Sequence, residues 1–166
     1  MSRIRLSRVA LSDADELIAA NRESEALHAP WVKPFADRPG FDAWFWRSFT
    51  GPHVSLVARE TVSNGVAGVI NISEIVAGAF QSGYLGYYAM TRFAGQGLMT
   101  EALAGAAAFA FGELGLHRLE ANIQPGNAAS LALVRRVGFH KEGFSPRYLR
   151  IDGEWRDHER WALIAS

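Results

Sequence analysis

Gly95-Gln96-Gly97-Leu98-Met99-Thr100-Glu101-Ala102-Leu103 is a tight glycine pair running straight into a helical pattern, and it follows the strand-like Tyr84-Leu85-Gly86-Tyr87-Tyr88-Ala89. Strand, glycine turn and helix in that order aim several unpaired backbone N–H groups at one point, reinforced by the positive end of a helix dipole. A junction of this kind grips phosphate without lysine, so the stretch predicts a site for a pyrophosphate-bearing cofactor.

Downstream, Leu98, Ala102, Leu103, Ala106, Phe109, Ala110 and Leu114 recur at helical spacing, and Gly115 closes the helix. A strand over His117 to Ile123, a turn at Pro125-Gly126-Asn127 and a helix from Ala128 to Val137, ended by Gly138, come next. Phe139 to Ile151 and Glu154 to Ile164 read as a hairpin about Asp152-Gly153, a dipeptide that tolerates the positive φ angles of a tight turn.

Upstream, Arg3 to Val9 alternates as a strand, and Ser12 and Asp13 stand where a cap would precede a helix over Ala14 to Asn21. Between Ser24 and Gly40 the pattern is broken by Pro30, Pro34 and Pro39, with Trp31 and Phe35 between them, which suits a lid or substrate wall. A short helix over Phe41 to Phe49 follows, then strands His53 to Glu60 and Gly65 to Val76 joined through Ser63-Asn64-Gly65. The order β-α-α-β-β-β-α-β-α-β-β predicts a mixed α/β sheet rather than a regular βαβ array.

Composition limits what can accompany that sheet. A chain of 166 residues suits one domain, residues 1–166, with one site. Its 17 basic and 17 acidic side chains balance, which disfavours a nucleic-acid surface, and the absence of cysteine removes thiolate metal sites and any acyl-cysteine intermediate. Acyl transfer would have to be direct. No apolar run approaches the roughly 20 residues that span a bilayer, so no membrane partner and a cytoplasmic location are expected.

Taken together, the glycine turn and helix, the following strand, Asn127-Ala128-Ala129-Ser130 and Gly138-Phe139 resemble the GNAT superfamily of acetyl-coenzyme A dependent N-acetyltransferases. Within it, Gly86-Tyr87-Tyr88, Gly138-Phe139-His140-Lys141-Glu142-Gly143 and the run from Tyr148 to His158 are similar to the Rim-type ribosomal-protein N-acetyltransferases, alanine branch. The likeness covers nearly the whole chain and is densest from about Val66 onward. It implies a mostly antiparallel twisted sheet of about seven strands, splayed at the cofactor strand and flanked by about four helices. It further implies acetyl-CoA as co-substrate and no metal.

The resemblance also implies site residues. Pyrophosphate would lie on Gly95, Gln96, Gly97, Leu98, Met99 and Thr100, with Arg92 an auxiliary contact. The pantetheine arm and thioester would run beside the backbone of Tyr87, Tyr88 and Ala89, where an N–H polarises the carbonyl. Asn127 would contact the arm, and Ser130 would stand near the departing sulfur. Two registers of the superfamily signature compete. Arg92-Phe93-Ala94-Gly95-Gln96-Gly97 fits it literally, but a register with Ala94 first, Gly97 in the middle and Met99 last keeps the downstream residues in step and is preferred.

Catalytic positions depart from the family pattern. Val134 stands where many members carry a general-acid Tyr, Asn122 where a Glu base is common, and Leu149 where the serine branch has a Glu. An α-amine suits such a site, since its pKa of about 8 leaves a useful neutral fraction near pH 7, unlike a lysine amine at about 10.4. Ser130 is therefore expected to protonate the leaving thiolate, Glu74 to take the amine proton through water, and Tyr148 to be a reserve acid.

The five histidines show no metal-ligand spacing and read as surface or structural residues. Trp44, Trp46, Trp155 and Trp161 read as packing, Trp31 as a candidate wall of the acceptor groove, and Arg156 to Arg160 as a solvated hairpin. The leading expectation is acetyl transfer to a protein N-terminal amine, ribosomal by resemblance, from a monomer or homodimer. Alternatives are a small amine such as an aminoglycoside or polyamine, a non-catalytic acyl-CoA binding module, and a dinucleotide oxidoreductase suggested by Gly95, Gly97 and Glu120. The oxidoreductase is disfavoured because Thr100 replaces the third glycine.

Overall fold

The computed structural model describes residues 1–166. In chain order its elements are β1 (Ile4–Arg8), α1 (Ala14–Glu23), α2 (Glu25–His28), α3 (Arg38–Thr50), β2 (Val54–Glu60), β3 (Val66–Val76), β4 (Ser82–Ala89), α4 (Leu98–Gly112), β5 (Arg118–Ile123), α5 (Ala128–Val137), β6 (His140–Ile151) and β7 (Glu154–Ile164). The strands form one seven-stranded sheet in the order β1-β2-β3-β4-β5-β7-β6. Every neighbouring pair is antiparallel except β4 with β5.

That exception positions the site. The parallel pairing of β4 with β5 extends only from Ser82 to Tyr84, after which the two strands part. On its other side β4 stays paired with β3 as far as Gly68↔Ala89, and Met90 donates its N–H to Ala67 O at 2.9 Å. Backbone direction alternates along an antiparallel strand, so Tyr88 faces β3 like Met90, whereas Tyr87 and Ala89 face the gap.

Period-two alternation in β2 and β3 divides the core between the two faces of the sheet. Leu56, Ala58, Ile70 and Ile72 pack against Ala102, Leu103 and Ala106 of α4, while Val57 and Val69 pack against Leu17 of α1 and Phe41 and Phe45 of α3. The alanines of α4 let its axis approach the sheet closely, and Gly68 of β3 leaves the space that the Met99 side chain fills. Arg59 ties α1 to β2 through Asp13 at 2.7 Å and Glu16 at 2.8 Å.

Local differences from the sequence reading have local causes. Asp13 does not cap α1: one carboxylate oxygen takes the Ala10 N–H and the other takes Arg59. The turn before β3 is a longer loop, with φ of 60° at Asn64, and the Glu60 carboxylate closes it by accepting N–H groups of Val62 and Ser63. The Asp152-Gly153 turn does have the positive φ angles expected, 48° and 85°. Helix α3 begins at Arg38, earlier than expected, because Asp37 caps it by accepting the Gly40 N–H and Pro39 lies in its first turn. Trp46 and Trp155 are exposed rather than packed.

Candidate active site

The parting of β4 from β5 opens two adjoining hollows. The larger, a cleft of about 460 Å³, runs from the gap-facing edge of β4 to the start of α4 and the exposed side of α5. The smaller, a cavity of about 170 Å³, lies between the separated strands and reaches β6 and β7. Trp31, Val32, Tyr87, Asn127 and Ser130 line both.

At one end of the cleft the glycine turn has the conformation its sequence demands. Gly95 and Gly97 have φ of 75° and 77°, and Gly97 is the N-cap residue of α4. No side chain caps this helix, so its first-turn N–H groups stay free for an anion. Glu101, which could have competed for them, is turned away to Arg3, whose Nε donates to it at 2.6 Å. Arg3 also donates to the Gln96 carbonyl at 3.1 Å, fixing the back of the turn. Gly95, Gly97, Leu98, Met99 and Thr100 all line the cleft.

Gln96 and Arg92 do not. The Gln96 amide reaches back to the Arg92 carbonyl at 3.4 Å, and Arg92 lies over the Phe93 ring. Both side chains thus brace the turn from outside the cleft. The exposed Arg136 of α5 lines the cleft instead, a cation that the motif gave no reason to single out.

Along β4 only the gap-facing residues keep free backbone groups. Tyr88 lines the cleft too, but its main chain faces β3 and its ring is buried, so the free backbone groups next to the gap are those of Tyr87 and Ala89. The Ala89 carbonyl is taken by His28 Nε2 at 2.7 Å. Because a carbonyl only accepts, that nitrogen carries the proton, leaving His28 Nδ1 a lone pair without a partner. Burial pushes the His28 pKa below its ordinary value despite that hydrogen bond. Ser24, accepting the Thr91 N–H at 2.9 Å, completes the clamp of the α1–α2 corner on the end of β4.

Where the hollows meet, Tyr87 Oη lies 2.6 Å from Ser130 Oγ. Ser130 is placed by Asn127, whose Oδ1 accepts the Ser130 N–H at 3.2 Å and so caps α5. Burial pushes the Tyr87 phenol up to about 12, the Ser130 hydrogen bond opposing it. The pair therefore keeps its protons through neutral pH and is equipped to donate one.

The remaining candidates separate. Val134 is fully buried in the core. Glu74 is exposed at a bulge in β3, its N–H donating to His53 Nδ1 at 3.3 Å, and it lines neither hollow. Tyr148 also lies outside both, its ring 6.3 Å from that of His158. Asn122 and Leu149 do line the cavity. So does His158, only 2% exposed and far from the solvated hairpin residue its charged neighbours suggested. Trp31 covers both hollows by packing on Gly126, whereas Phe35 turns into the core with Phe41 and Trp44.

Residues 3–140 match the family model described as acetyltransferase (GNAT) domain. The chain is 45% identical over 98 residues to the ribosomal protein uS5-alanine N-acetyltransferase of Escherichia coli, a match covering 59% of this chain and 50% of that enzyme. It thus spans about half the length of such curated relatives. The structure of RimJ from Mycobacterium smegmatis in complex with CoA-disulfide superposes with a TM-score of 0.86 at 28% identity, covering 98% of this chain and 82% of that one. A ribosomal-protein-S5-alanine acetyltransferase from Vibrio fischeri gives 0.85 at 25% identity, covering 99% of this chain and 94% of that one. With a family model spanning most of its length and the splayed strand in place, the chain belongs to the acetyltransferase (GNAT) domain family.

Proposed function

We propose that the chain transfers the acetyl group of acetyl-CoA directly to the N-terminal α-amine of a protein, a ribosomal protein being the leading acceptor. The observation that carries this reading is the cavity beside Ser130 and Tyr87, whose walls contain no carboxylate. A polyamine or aminoglycoside carries several positive charges, and each would be desolvated there unpaired. An α-amine with a pKa of about 8 enters neutral at modest cost. Trp31, Val32, Leu85, Leu149 and Ile151 suit a small, uncharged first residue.

The larger cleft fits the donor. The free N–H groups at the start of α4 suit a pyrophosphate, Arg136 suits a further phosphate, and the gap-facing edge of β4 suits the amides of a pantetheine arm. Bound acetyl-CoA supplies the reactive thioester. On this reading the Tyr87 N–H or Ala89 N–H polarises the acyl carbonyl, Asn127 holds the first turn of α5, and Ser130, backed by Tyr87, gives a proton to the departing sulfur.

Incubation with acetyl-CoA and peptides of varied first residue, beside spermidine and an aminoglycoside, tests the reading. Acetylation of peptide α-amines alone supports it, and turnover of the polycations in preference overturns it. Acetyl-CoA, and not NAD, should also raise the melting temperature, as expected of a ligand that binds only the folded chain.

A further inference from the structure

Resting on the acetyltransferase reading, we infer that His158 Nε2 is the catalytic base that takes the proton from the acceptor amine. The cavity leaves few choices. Of the residues in its walls only Tyr87 and His158 titrate, and the buried Tyr87 phenol holds its proton. Asn122 stands among them as an amide, which cannot accept a proton at useful pH.

The tautomer of His158 is fixed by its backbone. Its Nδ1 lies 2.8 Å from the carbonyl oxygen of Arg156, two residues earlier on β7. A carbonyl only accepts, so Nδ1 carries the hydrogen and Nε2 carries the lone pair. No group of the protein hydrogen-bonds to Nε2. A histidine oriented at one nitrogen by the main chain and left free at the other has the arrangement of a general base.

The proton count closes. The amine nitrogen forms its bond to the acyl carbon while His158 Nε2 takes the nitrogen's proton. The C–S bond then breaks, and the sulfur receives a proton from the Ser130–Tyr87 pair. Imidazolium returns its proton through cavity water to that pair, restoring both groups and leaving amide and free thiol. Tyr87 from β4 and the neutral Asn122 from β5 share the cavity wall with His158, the Tyr148 ring from β6 lies 6.3 Å from its ring, and Asp157 and Glu159 flank it on β7. His28 faces the adjoining cleft, where burial lowers its pKa.

His158→Asn isolates this role, because the Asn amide can donate to the Arg156 carbonyl as Nδ1 does, while nothing replaces Nε2. With a peptide acceptor, kcat should fall by about 10²- to 10⁴-fold, with little change in melting temperature or CoA affinity. In the wild type, the slope of log kcat/KM against pH should steepen from one toward two on the acid limb, where the ionisation of a histidine base adds to that of the free amine. The variant should keep a slope near one.

A purely structural histidine predicts near-normal kcat and an unchanged profile in His158→Asn, and either result overturns the inference. A wild-type profile without the second ionisation overturns it as well, even if the variant does not fold. If the wild type acetylates no amine, the acetyltransferase reading falls together with this one. Turnover by the wild type with undiminished kcat in the variant removes only the role of His158.

Discussion

The hydroxyl of Tyr87 on β4 and that of Ser130 on α5 lie 2.6 Å apart, joining β4 to α5 where cleft and cavity meet. A serine hydroxyl alone is a weak acid. Coupled to a buried phenol that stays protonated through neutral pH, it becomes one end of a short donor chain. Ser130→Ala and Tyr87→Phe should each lower kcat by about 10- to 100-fold while CoA affinity changes little. Because the two act as a unit, the double variant should be hardly slower than the worse single one, as steady-state kinetics can check.

Gly97 combines φ of 77° with the N-cap position of α4. A β-branched residue there pays about 1–3 kcal/mol for the left-handed conformation or moves the helix start. Gly97→Val should therefore abolish measurable CoA binding by calorimetry. Retained affinity would refute the phosphate turn.

Asn127→Ala removes the cap of α5 and the acceptor that places Ser130. A loss of about 0.5–2 kcal/mol in unfolding free energy is expected. Chemical denaturation measures that, and weaker CoA binding should accompany it.

His28 makes stability depend on pH. Its folded-state pKa is depressed by burial, so around and below pH 6.5 the unfolded chain binds more protons than the folded one. Stability should hold above about pH 6.5 and fall as pH drops from there toward the folded-state pKa. His28→Gln should flatten that slope in unfolding curves taken between pH 5 and 7, and an unchanged slope would exclude His28 as its source.

Much of the fold is written in short-range signals. Gly97, Asp152-Gly153 and Gly138 each mark a backbone conformation that few other residues accept, and all have positive φ in the structure. Helix α5 falls on the residues its spacing predicted, Ala128–Val137, because its cap and terminator sit at its two ends. The site was less legible because its chemistry arises between distant segments. Whether Tyr87, Tyr88 or Ala89 faces the gap depends on the β3 register, which the three residues cannot reveal by themselves. His28 meets Ala89, and Tyr87 meets Ser130, across long stretches of chain. A faint signal did exist for His158: it is the one residue without a full charge in the run Arg156-Asp157-His158-Glu159-Arg160, and so the one cheapest to bury. Glu74, on the strand before the cofactor strand in sequence, lies at a solvent-facing bulge, a placement that strand order alone does not reveal.

Mass spectrometry of products from the wild-type chain, acetyl-CoA and an equimolar mixture of peptides and polyamines tests the central claim most directly. The account predicts acetyl groups on α-amines of peptides with small, uncharged first residues, and none on lysine side chains or spermidine. Acetylation of lysine side chains or polyamines in preference, or of no amine at all, would contradict it.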